Sequence, residues 1–335
     1  MGDMSKPNIA LVGAAGVVGT TFRTVLEEFK FPYNEVRMLE RAELAGQPLQ
    51  FDGREWVMEE LTEHSFDGGD IDIALFSAGG GTSAKFAPIA AAHGTIVVDN
   101  SSQWRMDPQC PLVVPEVNPA EVNNRPKGII ANPNCSTIQA VVSLKPLQDA
   151  FGIKRVVYST YQAVSGSGVK GLKDLEEGIK GNDLLGAYPH PIAFNVLPQI
   201  DVFEDNGYTK EEMKMIDETH KILGDYNIKV TATTVRVPVY YAHSESINVE
   251  FERPFADIAE VREVLAAAPG IVIQDDPANS VYPLPRDIAG RNEVYVGRLR
   301  RDFSVDSGVN FWNVADNTRK GAATNAVQIA QLLLK

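Results

Sequence analysis

The stretch Ile9-Ala-Leu-Val-Gly-Ala-Ala-Gly-Val-Val-Gly19, followed by residues 20–28 (TTFRTVLEE), decides the fold of this chain. Four apolar residues without polar alternation read as a strand, and an amphipathic helix follows the glycines. Strand, glycine turn and helix N-terminus in that order suit a dinucleotide pyrophosphate, because the turn lets backbone approach and the helix end offers N–H donors and partial positive charge. Gly13, Ala14, Ala15, Gly16, Val17, Val18 and Gly19 form this candidate cradle. Its spacing is GxxGxxG rather than GxGxxG, so a plain tight turn stands as the alternative; its place after a first strand favours the cofactor.

Outward from that turn, short apolar runs at 36–39, 71–76, 95–98, 112–114 and 129–131 alternate with helical patterns. Such alternation predicts a parallel sheet with helices on both faces. A second glycine-rich turn, Ser77-Ala-Gly-Gly-Gly-Thr-Ser83, follows the run at 71–76 and opens at the same carboxyl edge of a doubly wound sheet; a flexible loop is the other reading. From about residue 153 the pattern changes to longer β-branched runs at 156–164, 229–239, 246–251 and 294–299. These predict a mixed or antiparallel sheet, with helices between them, one entered at Thr209, where Glu212 completes capping-box spacing. The last segment, 317–334, has one apolar face and returns to the first domain. The fold class is therefore α/β: a Rossmann-type, doubly wound parallel-sheet domain over 1–133 and 314–335, plus an α+β domain over 134–313.

A length of 335 residues and 44% hydrophobic content support a large core and two domains. The net charge of −13, with no long Lys/Arg run, argues against nucleic acid as a partner. An acidic field also repels anionic ligands, so phosphate must be held by a few local cations in a cleft. Cys110 and Cys135 make neither a disulfide framework nor a C-x-x-C pair, which fits a reducing, cytoplasmic setting. No apolar run is long enough for a signal peptide or a membrane span, so a soluble protein is expected.

Asn132-Pro-Asn-Cys135-Ser-Thr137 joins the run at 129–131 to an apolar-periodic helix. A cysteine at a helix N-terminus is favoured as thiolate, the form that attacks carbonyl carbon. Many free cysteines are small buried hydrophobes, but a polar turn with two asparagines is a poor place to bury one. Cys110, in Asp-Pro-Gln-Cys-Pro, lacks such a setting and reads as structural. Of the five histidines, only His243 lies among other candidate ligand groups, in Arg236-Val-Pro-Val-Tyr-Tyr-Ala-His243-Ser-Glu245. Asn100-Ser-Ser-Gln-Trp-Arg105 offers hydroxyls, an amide and a guanidinium suited to phosphate, against the alternative of an exposed arginine beside Trp104.

Together these stretches resemble the aspartate-semialdehyde dehydrogenase family over nearly the whole chain. Further matching stretches are Val114-Pro-Glu-Val-Asn118, Tyr161-Gln-Ala-Val-Ser-Gly166, residues 296–302 (VGRLRRD) and Arg319-Lys-Gly-Ala-Ala-Thr-Asn325. The resemblance implies Cys135 as nucleophile, Gln162 as the residue orienting substrate and His243 as general acid/base. It implies Arg236 on the substrate α-carboxylate, Glu211 on its amino group, and Lys214 with Arg105 on phosphate, with Asn134 and Ser102 also at the substrate. Ser77, Ala78, Gly79, Ser165, Gly166, Asn317 and Lys320 are implied at the cofactor. The chemistry implied is reversible reductive dephosphorylation of L-4-aspartyl phosphate to L-aspartate 4-semialdehyde through a Cys135 thioester, on the route to lysine, threonine and methionine. A catalytic and dimerisation role for 134–313, a homodimer and inorganic phosphate as co-substrate follow from the same resemblance.

One stretch departs from the family. NADP-using members carry a Ser- and Arg-containing loop after the second strand, whereas this chain reads Leu39-Glu40-Arg41-Ala-Glu43. Glu40 suits the free ribose hydroxyl of NAD, while Arg41 can pair with a 2′-phosphate. NADP is expected, with NAD the alternative. The competing readings are an N-acetyl-glutamyl-phosphate reductase-like enzyme, which the local motif at Cys135 argues against, and a non-catalytic dinucleotide sensor, which has no need of Cys135, Gln162, His243 and Arg236 together.

Overall fold

The computed structural model describes residues 4–334. The chain divides into two compact units, Met1–Pro133 with Ala322–Lys335, and Asn134–Gly321.

The first unit opens with β1 (Ile9–Val12), α1 (Val17–Glu28) and β2 (Val36–Glu40), then a hairpin of β3 (Pro48–Phe51) and β4 (Arg54–Val57). It continues through β5 (Glu59–Glu60), β6 (Ile73–Phe76), α2 (Gly80–Ala92), β7 (Ile96–Asp99) and β8 (Ile129–Ala131). The main sheet is parallel, in the order β5-β2-β1-β6-β7-β8. All four residues of β1 and of β6 are buried, as continuous apolar strands covered on both faces must be. Phe22, Val25 and Leu26 of α1 share a core cluster with Ile9 and Leu11, and each such side chain contributes about 1.5–3 kcal/mol. Ala87 and Ala90 of α2 pack on the other face with Ala10 and Val12.

The second unit contains α3 (Cys135–Phe151), β9 (Ile153–Gln162), α4 (Gly168–Ile179), α5 (Lys210–Leu223), β10 (Lys229–Arg236) and β11 (His243–Phe251). It is completed by α6 (Ile258–Ala266), β12 (Ile271–Ile273), α7 (Pro285–Ile288), β13 (Val294–Arg301) and β14 (Gly308–Ala315). Its sheet, β10-β9-β11-β14-β13-β12, is mixed: the two outer pairs are parallel and the three inner pairings antiparallel. Residues 136–144 of α3 are all buried, so the helix that begins at Cys135 is a core helix. Thr209 and Glu212 make both bonds of the capping box at the start of α5. The chain then passes through a π turn at Arg319–Ala323 into α8 (Thr324–Leu332), whose Ala326, Val327, Ile329 and Ala330 join the core cluster of α1 and β1.

Several expectations shift. The run at 112–114 makes one bridge, Leu112 to Ala131, because Pro111 and Pro115 remove ladder donors on either side. The run at 229–239 ends as a strand at Arg236, two residues before Pro238. The 317–334 helix becomes a π turn and the shorter α8. The β3–β4 hairpin escapes the sequence reading, although its Asp52-Gly53 corner, both residues at positive φ, is a strong hairpin signal. The strand β14 escapes it too.

Candidate active site

The glycine turn after β1 is built for close backbone approach. Gly13 has φ +83, and a Cβ there would lie 2.5 Å from the Ser77 carbonyl oxygen, in the second glycine turn. A Cβ on Gly19 would lie 2.0 Å from the Gly13 carbonyl oxygen, which fixes how closely α1 follows β1. Neither α1, capped by Gly16, nor α2, capped by Gly79, has a side-chain cap or an acidic residue in its first turn. Since β1 and β6 are neighbours, two helix N-termini with uncapped N–H groups open at one carboxyl edge, an arrangement that fits a pyrophosphate. Glu40, 8% exposed, accepts the Ala15 N–H through Oε1 at 2.8 Å, so its carboxylate is turned into the turn itself. Arg41 is exposed, 3.8 Å from Glu43. Replacing Gly19 with alanine is expected to force the turn open. Urea unfolding of Gly19→Ala should show a loss of about 1–3 kcal/mol, and a fluorescence titration should show weaker dinucleotide binding; an unchanged titration would exclude this packing role.

In the second unit, Cys135 is the first residue of α3 and is partly exposed. Asn134 is the N-cap, its Oδ1 accepting from Ser136 N at 3.0 Å and Thr137 N at 3.3 Å. Two carboxylates of α5 hold this cap: Glu218 accepts the Asn134 N–H at 2.6 Å, and Glu211 Oε1 accepts from Asn134 Nδ2 at 2.8 Å. The same Glu211 oxygen accepts from Gln162 Nε2 at 3.1 Å, while Oε2 lies 3.2 Å from Lys214 Nζ. Burial would push the Glu211 carboxyl up, but Lys214, the bonds from Asn134 and Gln162, and the Arg236 charge hold it below the usual range. A Cβ on Gly321 would come within 3.0 Å of the Cys135 Cβ, so only glycine leaves room beside the thiol's carbon.

Gln162, Arg236 and His243 share one edge of the mixed sheet, since Gln162 ends β9 opposite Arg236 at the end of β10, and β11 begins at His243. The fully buried His243 ring accepts the Ala163 N–H on Nδ1 at 2.9 Å. The neutral ring therefore carries its proton on Nε2, which finds no acceptor among the described residues. Burial first, and then the Arg236 charge, push this imidazole well below its usual range, so it is neutral at physiological pH. The Arg236 guanidinium donates to the Ala163 carbonyl at 2.7 Å and faces the Tyr188 ring at 5.8 Å. Its backbone is paired in both directions with Leu197, on the long loop between α4 and α5. Gly166 permits this crowding: a Cβ there would lie 2.8 Å from the Arg236 guanidinium and 3.4 Å from the His243 ring.

The remaining expected residues lie as follows. In the first unit, Arg105 is buried, not exposed beside Trp104; it donates to the carbonyls of Asn132 and Asn100, both at 3.0 Å. Ser102 is exposed on the same loop, after β7. In the second unit, Lys214 pairs with Asp201 at 2.8 Å as well as with Glu211. The Asn317 amide is engaged with the Ser165 hydroxyl and accepts the Ala242 N–H at 3.0 Å, steadying the turn just before His243. Lys320 is 1% exposed in the π turn. Sequence reasoning missed Glu218, whose signal was its spacing: it lies two helical turns after Glu211 on the same face of α5. It also missed Tyr188 and Leu197, for which long-range contact left no local signal.

A dinucleotide-type parallel sheet in one unit and a thiol at a helix start in the other define the class as that of the semialdehyde dehydrogenases. Two family models agree, the semialdehyde dehydrogenase NAD binding domain over residues 8–125 and the semialdehyde dehydrogenase dimerisation domain over 144–320. The chain is 56% identical to the aspartate-semialdehyde dehydrogenase of Aquifex aeolicus, with 98% of each chain covered. It matches the crystal structure of aspartate semialdehyde dehydrogenase II from Vibrio cholerae with a TM-score of 0.93 at 48% identity, again over 98% of each chain. A second structure of that Vibrio cholerae enzyme, complexed with ASA, also gives 0.93, at 47% identity. The chain belongs to the aspartate-semialdehyde dehydrogenase family. No helix among the described residues is long and apolar enough to cross a membrane, and none of their acidic, histidine or cysteine side chains cluster as a metal site.

Proposed function

We propose that this enzyme interconverts L-4-aspartyl phosphate and L-aspartate 4-semialdehyde through a thioester on Cys135, with NADP as cofactor. The observation that carries the reading is the thiol at the start of α3, whose cap, Asn134, is held by the same Glu211 that holds Gln162. The Cys135 thiolate attacks the acyl carbon, the carbon–sulfur bond forms and phosphate leaves with the carbon–oxygen electron pair. Arg236 takes the substrate α-carboxylate, Glu211 its ammonium group, and Gln162 orients the acyl group, with Asn134 beside it. Arg105, Ser102 and Lys214 serve the phosphate. The bound dinucleotide supplies the hydride that reduces the acyl carbon. His243 Nε2–H donates a hydrogen bond to the hemithioacetal oxyanion that hydride transfer forms, and as the carbon–sulfur bond breaks the oxyanion becomes the aldehyde carbonyl and the sulfur leaves as thiolate.

The family resemblance assigns residues 13–19 and 77–79 to the dinucleotide, and Ser165, Gly166, Asn317 and Lys320 to it as well. Glu40 engages Ala15 instead of facing outward, and Arg41 is 73% exposed on its side chain; both favour a 2′-phosphate and hence NADP over NAD. We also infer a homodimer through the mixed sheet, where Tyr161, 40% exposed, packs on Trp312 on the face away from α3. The test is phosphate-dependent reduction of NADP and of NAD by aspartate semialdehyde. NADP should be preferred, and Arg41→Glu should lower kcat/KM for NADP about tenfold or more while changing that for NAD little. A protein that is inert with either cofactor, or an Arg41 variant with an unchanged ratio, would refute the corresponding part.

A further inference from the structure

Beneath the catalytic edge lies a carboxyl group that the mechanism above does not use. Glu245, on β11 two residues after His243, is fully buried on the face that packs against α3. Its Oε2 accepts from Asn313 Nδ2 of β14 at 3.1 Å, and the Gln139 amide of α3 lies against it. Gln139 is one helical turn after Cys135. It donates through Nε2 to the His243 carbonyl at 3.3 Å, and its own backbone carbonyl accepts from Asn313 at 3.1 Å. Ser143, a turn further on, donates to Asn313 Oδ1 at 3.1 Å. Two oxygens of this cluster, Glu245 Oε1 and Gln139 Oε1, are buried with no donor among the described residues. An unsatisfied buried acceptor is costly, and a proton on Glu245 shared with Gln139 would give both oxygens a partner.

We propose that Glu245 is a positioning residue whose carboxylic O–H bridges to Gln139 and thereby holds the nucleophile's helix in register with the strand that carries His243. The proposal rests on Cys135 and His243 acting as described above. The two unpartnered oxygens favour the proton, and the setting agrees with it: burial pushes the Glu245 carboxyl up to about 8, against the lowering effect of Asn313 and Gln139. No other titratable group lies on α3 between Cys135 and Lys145, and none lies on β14. On β9 the neighbour is Tyr158, whose phenol burial keeps neutral. On β11 it is His243, also neutral, with the Arg236 cation beyond it. Glu245 is thus neutral at pH 7 and serves as a donor.

The test compares Glu245→Gln, which keeps a neutral donor, with Glu245→Leu, which removes it at similar volume. Turnover is referred to titrated Cys135 thiol, the partly exposed cysteine of the two. The leucine variant should lose about tenfold or more in kcat, with KM for aspartate semialdehyde and for the dinucleotide within about twofold of wild type, because misplaced reacting groups slow chemistry and not binding. The glutamine variant should recover kcat to within about threefold. Relative to wild type, its stability should rise from pH 5 to pH 8 and then level off, since only wild type must keep a proton that its unfolded chain has released. A leucine variant with wild-type kcat overturns the proposal, and so does a glutamine variant as slow as leucine. Should the leucine protein fail to fold, the glutamine kcat and its pH trend decide alone. If wild-type turnover survives loss of Cys135, the parent reading fails instead, whatever the Glu245 variants do.

Discussion

Cys135→Ala is expected to fold, to bind dinucleotide as wild type does, and to lose at least about 10⁴-fold in kcat. The folding half of this expectation follows from position. The residue opens α3, its side chain is partly exposed, the cap of the helix comes from Asn134, and alanine is the best helix former. The catalytic half follows from chemistry: without sulfur there is no covalent acyl intermediate, and no described neighbour on α3 offers a comparable nucleophile. Serine at the same position is the stricter control, because its hydroxyl keeps the shape but is not ionised near neutral pH. Stopped-flow measurement of the first turnover separates the two halves. A burst of reduced dinucleotide from the alanine variant, or turnover within tenfold of wild type, would show that the reaction does not pass through Cys135.

The second large effect is expected at His243. Asparagine there places an acceptor oxygen where Nδ1 now receives the Ala163 N–H, and removes the Nε2 proton. kcat should fall by about 10²–10³-fold, with KM nearly unchanged, because loss of a donor aimed at the developing oxyanion acts on the transition state and not on substrate affinity. The pH dependence has a definite sign. The native ring is held neutral well below its usual range, while the unfolded chain takes up a proton near pH 6.5. Below that pH the unfolded state binds more protons, so stability falls as pH falls, by up to about 1.4 kcal/mol per pH unit, until the native ring itself protonates. Above pH 6.5 this contribution is constant. Urea titrations of wild type and His243→Asn at pH 5, 6 and 7 should show the variant gaining on wild type toward acid; parallel curves would mean that the ring titrates normally. Glu245 acts in the opposite direction, losing stability as pH rises from about 4.5 to about 8, so the two contributions oppose each other between pH 4.5 and 6.5. Each variant should therefore uncover the slope left by the other residue.

The parallel sheet of the first unit was legible because both of its signals are local. Residues 9–12 and 73–76 are apolar without interruption, which is what covering on two faces demands, and Gly13 and Gly19 mark a turn where backbone passes close to backbone. Cys135 was legible for the same reason: strand, polar turn and helix adjoin it in the chain, so its setting at a helix start is written within ten residues. Tertiary structure decided the rest. The convergence of Gln162, Arg236 and His243 depends on the register of β9 with β10 and β11, and the pattern of a half-buried strand specifies a face but not the residue opposite it. Which nitrogen of His243 bears the proton depends on the Ala163 N–H, 80 residues away. That Glu40 bends into the glycine turn, and that Glu245 lies at a core position where alternation predicts an apolar side chain, are likewise outcomes of packing. Periodicity records how a segment divides between core and solvent; the charge state and partner of a polar group are set by neighbours that the fold brings from elsewhere in the chain.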